Sequence, residues 1–112
     1  MTPTTAPSDL YPGRDARMTD AHVLAGIVVD ELVRNGVRCF LYCPGSRNGP
    51  LGFELARRSQ NRELVLHVRL DERVAGFTAL GMAKATGSPV AVVTTSGSAV
   101  TNLLPSVTEA NY

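Results

Sequence analysis

Three short apolar runs, Val37 to Cys43, Leu64 to Val68 and Pro89 to Thr95, are each followed by a turn and then by a stretch of helical character. No other feature constrains the fold so strongly. Strands separated by helices pair in parallel through right-handed crossovers. Runs rich in Val, Ala and Leu suit strands covered on both faces. The pattern predicts the order α-β-α-β-α-β-α, a parallel α/β sheet with helices on both faces.

Local signals bound the helices. Thr19 or Asp20 can cap a helix from Ala21 to Arg34, whose apolar stripe is Val23, Leu24, Ile27, Val28 and Leu32. Asn35-Gly36 stops it, because Gly takes the left-handed conformation freely. Pro44 to Pro50 is a loop by its Pro, Gly, Ser and Asn content. Pro50 suits the start of a second helix, from Leu51 to Arg58. The third helix runs from Asp71 to Thr86; Gly87 ends it and Pro89 bars its continuation. The run Pro89 to Thr95 reads as a strand buried on both faces. Ser96-Gly97-Ser98 is a tight turn, and a last helix extends from Ala99 toward Asn111. Residues 1–18, with scattered Pro, Ser and Thr and no apolar period, read as a disordered leader. Three strands make a small sheet, and the last helix has no strand to return to. Residues 19–112 therefore read as the N-terminal part of a larger domain, incomplete at its C-terminus.

Composition excludes several partners. A formal net charge of +1 leaves no electrostatic footprint for nucleic acid. Three Tyr, three Phe and no Trp leave little for base stacking. No apolar run approaches a membrane span. Cys39 and Cys43 share a strand face, and their Cα atoms would lie about 13 Å apart, too far for a disulfide. Free thiols fit a reducing compartment. Two His and two Cys without metal-ligand spacing predict no metal site.

Three loops fall at the carboxyl ends of the strands, where ligands collect in open α/β sheets. The stretch His67-Val68-Arg69-Leu70-Asp71-Glu72-Arg73 runs from a strand straight into a helix. Glu72 at this junction would be held by two rigid elements, as a catalytic or cofactor-gripping acid must be. On spacing alone the plainer role is a helix-start residue that complements the helix dipole. Ser46 and Arg47 offer a hydroxyl and a planar cationic fork suited to a carboxylate or phosphate; a surface arginine on a turn is the plainer alternative. Thr95, Ser96, Gly97 and Ser98 could present backbone N–H groups to an anion, or Ser96 or Ser98 could simply cap the last helix. No Walker loop, G-x-G-x-x-G fingerprint or Ser/His/Asp set is present, and His22 and His67 read as structural. Ala75, Ala79 and Ala83, with Gly76 and Gly81 nearby, form a face that another backbone can approach, either this domain's own sheet or a second subunit.

Four motifs occur in order: Cys43-Pro44-Gly45-Ser46-Arg47-Asn48, the stretch from His67 to Arg73, Gly81-Met82-Ala83-Lys84, and Thr95-Ser96-Gly97-Ser98-Ala99-Val100-Thr101-Asn102-Leu103. Together they resemble the N-terminal, pyrimidine-binding domain of thiamine-diphosphate enzymes. Within these they are most similar to the family of 2-succinyl-5-enolpyruvyl-6-hydroxy-3-cyclohexene-1-carboxylate synthases of menaquinone biosynthesis. The resemblance covers Ala21 to Tyr112; its last motif is shared more widely, with acetolactate synthase-like enzymes. Asn48 stands where many relatives have serine and others asparagine.

The resemblance implies a transferase that decarboxylates 2-oxoglutarate and adds the succinyl carbanion to isochorismate. It implies that Glu72 hydrogen-bonds N1′ of the aminopyrimidine of thiamine diphosphate. It implies that Ser46 and Arg47 contact a substrate carboxylate, and that Thr95, Ser96, Gly97 and Ser98 lie by the cofactor's pyrimidine. Mg2+ or Mn2+ would be bound by ligands outside this segment, which has no G-D-G motif. A cytoplasmic homodimer or homotetramer is implied, with this segment inactive by itself. The alternatives are another carboligase of acetolactate synthase type, which the Ser46-Arg47 pair argues against, and a non-catalytic α/β binding module.

Overall fold

The structure, a computed structural model, describes residues 19–112. The expected leader, residues 1–18, lies outside the described residues. Helix α1 spans Asp20–Arg34, β1 Cys39–Tyr42, α2 Gly49–Gln60, β2 Val65–Val68, α3 Glu72–Thr86, β3 Val90–Val93, α4 Ser98–Thr101 and α5 Leu104–Ala110, with a 3-10 turn at Ser46–Asn48 before α2. The three strands form one parallel sheet in the order β2-β1-β3. Cys39 pairs with Val65 on one side and Val90 on the other; Tyr42 pairs with Val68 and Val93. The predicted α/β sheet with helices on both faces is the fold observed.

The central strand supplies both cores. Phe40 and Leu41 are adjacent, so they point to opposite faces, and both are 0 % exposed. Phe40 packs with Val29, Val37, Leu55 and Leu64 beneath α1 and α2. Leu41 and Cys43 pack with Ala75 and Ala79 of α3. Burying each such large side chain contributes about 1.5–3 kcal/mol.

An ion cluster ties α1 to α2. The guanidinium of Arg58, 8 % exposed, donates Nε to Glu54 at 2.7 Å, Nη2 to Asp30 at 3.2 Å and Nη1 to Glu63 at 3.2 Å. Burial alone would lower the pKa of Arg58, but the hydrogen bond and charge of Glu54, with help from Asp30 and Glu63, reverse this and raise it. Burial pushes the Asp30 carboxyl up, and its hydrogen bonds from Arg34 and Arg58 outweigh that, leaving it below the usual value.

Several boundaries and faces differ from the sequence expectation. All three strands are shorter than the apolar runs that announced them, because the run ends lie in the connecting turns. β3 is half-buried throughout rather than buried on both faces, since it is an edge of the described sheet. The stripe Leu24, Ile27 and Val28 of α1 faces outward, at 61 %, 50 % and 42 % exposure, while Ala25 and Val29 face the core. The small residues Ala25 and Gly26 turn inward instead. Helix α2 begins at Gly49, two residues earlier than expected, with Pro50 in its first turn.

Helix α3 begins at Glu72, not Asp71. Asp71 is its N-cap, and its carboxylate accepts from the N–H groups of Arg73 at 2.9 Å and Val74 at 3.3 Å, a cap that contributes about 1 kcal/mol. The single helix expected after Ala99 is broken into α4 and α5. Pro105 lacks the N–H that would bond Thr101, and its ring would meet that carbonyl. Asn102 closes α4 instead, donating both its backbone N–H and its Nδ2 to the Ser98 carbonyl, at 3.0 and 2.9 Å.

The small-residue face of α3 is used within the chain. Ala75 and Ala79 lie against the sheet. A Cβ at Gly76 would stand 2.2 Å from Ser106 Oγ, so α5 lies directly on α3 there. Nothing lies within 4 Å of the corresponding point at Gly81. No helix among the described residues is long and apolar enough to cross a membrane.

Candidate functional site

Parallel strands place the loops after β1, β2 and β3 along one edge. Backbone hydrogen bonds continue the ladders past the strand ends: Cys43 N–H to Val93 O at 2.9 Å, and Arg69 N–H to Tyr42 O at 3.0 Å. The roots of the three loops are therefore fixed relative to one another before any side chain is considered.

Side chains join the first loop to the third. Arg47 Nη1 donates to Ser96 Oγ at 3.1 Å. A Cβ at Gly45 would sit 2.7 Å from Thr95 Cβ, so the two loops are in close contact there and residue 45 must be small. Ser46, Arg47, Ser96 and Ser98 are exposed along this edge, and Thr95 is partly buried. Gly97 has φ +79° and ψ −138°, a conformation open essentially to glycine alone.

Glu72 is half-buried at the start of α3. The chain reaches it from β2 through Arg69, Leu70 and Asp71, so the junction is a short connector rather than the direct passage expected. No hydrogen bond or ion pair holds its carboxylate among the described residues. Its charge nonetheless reaches the end of β1: the Cys43 thiol is pushed up chiefly by burial, then by Glu72 and Asp71. The first and third loops are joined by a side-chain bond; Glu72 shares their edge without such a bond to either.

Other expectations resolve simply. The N-cap of α4 is Gly97, with no side-chain cap bond, so neither Ser96 nor Ser98 caps it. At four residues, α4 also has only a small macrodipole for an anion. Cys39 and Cys43 are free, and burial raises the pKa of the Cys39 thiol as well. His22 accepts or donates a 2.8 Å bond with Thr19 Oγ1 and lies 6.1 Å from the Phe53 ring. His67 lies within β2. Among the described residues no group of three or more His, Cys, Asp or Glu could hold a metal.

Sequence reasoning gave no role to Tyr42 and noted Asn48 only as a motif position. Asn48 is 5 % exposed, and its amide bonds to Tyr42, Cys43 and Gly45. The only signal was an asparagine in a turn-rich loop, which by itself indicates a turn.

Comparison with known proteins agrees with this geometry. The family described as "Thiamine pyrophosphate enzyme, N-terminal TPP binding domain" matches residues 22–112. The 2-succinyl-5-enolpyruvyl-6-hydroxy-3-cyclohexene-1-carboxylate synthase of Mycobacteroides abscessus is 57 % identical over 95 residues, 85 % of this chain and 18 % of that protein. Those of Nocardia farcinica and Mycobacterium avium are 56 % and 55 % identical over the same share of this chain and 17 % of theirs. The chain thus spans about a sixth of the length of the curated relatives it matches. Its parallel sheet, the three loops at one edge and the match over nearly all of the described residues lead to one conclusion: this chain belongs to the thiamine pyrophosphate enzyme family, in its N-terminal TPP binding domain.

Proposed function

We propose that residues 19–112 are the N-terminal part of the pyrimidine-binding domain of a thiamine-diphosphate-dependent synthase. In this reading, which the motif resemblance implies and the relatives' shared synthase name supports, the enzyme decarboxylates 2-oxoglutarate and adds the succinyl unit to isochorismate. The observation that carries this reading is Glu72: a half-buried carboxylate at the carboxyl edge of the sheet with no hydrogen-bond partner among the described residues. An acid so placed has its acceptors free for a ligand. The hydroxyls of Thr95, Ser96 and Ser98, on the loop after β3 at the same end of the sheet, suit a polar heteroaromatic ring. The pyrimidine half of the cofactor therefore fits the residues present. The resemblance puts the ligands of the diphosphate and its Mg2+ or Mn2+ outside this segment, in keeping with described residues that include no group of three or more His, Cys, Asp or Glu able to hold a metal; the full-length enzyme would be a cytoplasmic homodimer or homotetramer.

Thiamine diphosphate, when bound, supplies the carbon nucleophile and the electron sink for decarboxylation. The chain's own part is narrower. Glu72 holds a proton at N1′ of the pyrimidine, in a position where partial burial keeps competing water away. Ser46 and Arg47 bind and orient a substrate carboxylate, Arg47 with its planar fork and Ser46 with a neutral hydrogen bond. Thr95 to Ser98 line the ring, and Gly97 allows the close turn. The synthase relatives argue against an acetolactate-type carboligase, and a carboxylate left free at this junction argues against a non-catalytic module.

Glu72→Gln in the full-length enzyme tests the reading. Deuterium exchange at cofactor C2, followed by NMR, should slow by about 10²–10⁴-fold while the fold persists. An unchanged exchange rate, with only a small fall in melting temperature, would leave Glu72 as a helix-start residue.

A further inference from the structure

Asn48 lies at the foot of the loop after β1, 5 % exposed, and its side chain works only within that loop and the strand end. Oδ1 accepts from the Gly45 N–H at 2.9 Å and from the Tyr42 hydroxyl at 2.9 Å. Nδ2 donates to the Cys43 carbonyl at 2.9 Å. One amide thus gathers residues 42, 43 and 45 around it. Ser46 and Arg47 ride on the 3-10 turn that Asn48 closes.

The surroundings are shaped for this arrangement. Tyr42 reaches Asn48 across residue 52, where a Cβ would stand 2.5 Å from the tyrosine hydroxyl; glycine there leaves the path open. The outer side of the loop rests on Thr95 through Gly45, and Arg47 is tied to Ser96. A surface turn has no need of a buried amide with three bonds. Alanine at 48 would leave the Gly45 N–H and the Cys43 carbonyl without these partners, and aspartate would lose the donor and bury a charge.

We propose that Asn48 is a positioning residue which, with the Tyr42 hydroxyl, sets the direction in which Ser46 and Arg47 present their polar groups to a substrate carboxylate. The proposal rests on the assignment of Ser46 and Arg47 as substrate contacts. Neither Asn48 nor Tyr42 touches the substrate. They act by holding the loop, and a displacement of ~1 Å in a binding group costs up to about 10²-fold in rate.

The test uses the full-length enzyme with Asn48→Ala and the milder Tyr42→Phe, which removes one donor and keeps the ring. Amide hydrogen exchange at Gly45, Ser46 and Arg47 should accelerate by about 10-fold or more in Asn48→Ala, the loss of one or two buried hydrogen bonds, with β1 and α3 unchanged. KM for 2-oxoglutarate or isochorismate should rise by about 10-fold in Asn48→Ala and less in Tyr42→Phe, with cofactor affinity at the parental level. In an Arg47→Ala background the Asn48 change should raise KM much less, because the group it positions is gone.

If both variants melt at a lower temperature with KM and loop exchange unmoved, Asn48 is structural only and the proposal fails. If Asn48→Ala does not fold, Tyr42→Phe decides by the same two measurements. Should Arg47→Ala leave both KM values unchanged, the substrate assignment of Arg47 fails; the loop-exchange result still decides whether Asn48 holds the loop.

Discussion

Arg47 donates a hydrogen bond of 3.1 Å to Ser96, a residue 49 positions away in the chain. The bond closes the sheet's carboxyl edge between the loop after β1 and the loop after β3. It engages one nitrogen of the guanidinium, and the rest of the fork remains available to a ligand.

Arg47→Lys keeps the charge and loses the fork. In the full-length enzyme, KM for a carboxylate substrate should rise by about 10-fold, the equivalent of one charge-assisted hydrogen bond. Cofactor affinity should stay at its parental value. Steady-state kinetics with calorimetric titration of the cofactor separates the two; a fall in cofactor affinity with intact substrate kinetics would reassign Arg47.

Gly45 and Gly97 are constrained for different reasons. Gly45→Ala puts a methyl 2.7 Å from Thr95 Cβ and should cost about 1–3 kcal/mol by overpacking. Gly97→Ala meets no neighbour but forces a side chain into a conformation at φ +79°, at about 1–3 kcal/mol. Shortening Thr95 to glycine should relieve the first and leave the second untouched. Urea unfolding of the single and paired variants checks this.

The Arg58 cluster should dominate the electrostatic part of stability. Arg58→Ala removes the closest cation of Glu54, 3 % exposed, which keeps Arg57 at 2.9 Å, and should destabilise by about 1.5–3 kcal/mol, the loss of a charge-assisted hydrogen bond. Arg34→Ala removes an exposed pair to Asp30 and should cost no more than about 1 kcal/mol. Thermal melts of both variants against the parent give the comparison.

Acid should weaken the same cluster. The Asp30 pKa is lower in the folded chain than the ordinary aspartate value. The stabilisation from its ionised form is therefore complete above the unfolded value and fades as pH falls through the lower folded one. Melting temperature should fall over that range in the parent and fall less in Asp30→Asn. A parallel decline in both would show that Asp30 contributes nothing.

The 112-residue chain by itself should show no tight, magnesium-dependent binding of thiamine diphosphate, because its described residues offer no metal-ligand group. Calorimetry with the cofactor and Mg2+ checks this; saturable, metal-dependent heat would place a diphosphate site within these residues.

The element order, the parallel sheet and the identity of the loops at its carboxyl edge were legible in the sequence alone. Each depends on short-range physics: apolar runs of strand length, Gly87 after α3, Pro50 at the start of α2. Even the break between α4 and α5 was written at Pro105, though the reading ran a single helix through it. Tertiary structure decided the rest, because it depends on which surfaces meet. Leu24, Ile27 and Val28 satisfy a helical period as well as Ala25 and Val29 do, and only packing against α2 and the sheet chose the smaller set to face inward. The Arg47–Ser96 bond joins residues that no local rule relates, and the three bonds of Asn48 exist only once Tyr42 passes over Gly52. Periodicity and turn chemistry are properties of neighbours in the chain; the seating of one loop on another is a property of the folded sheet.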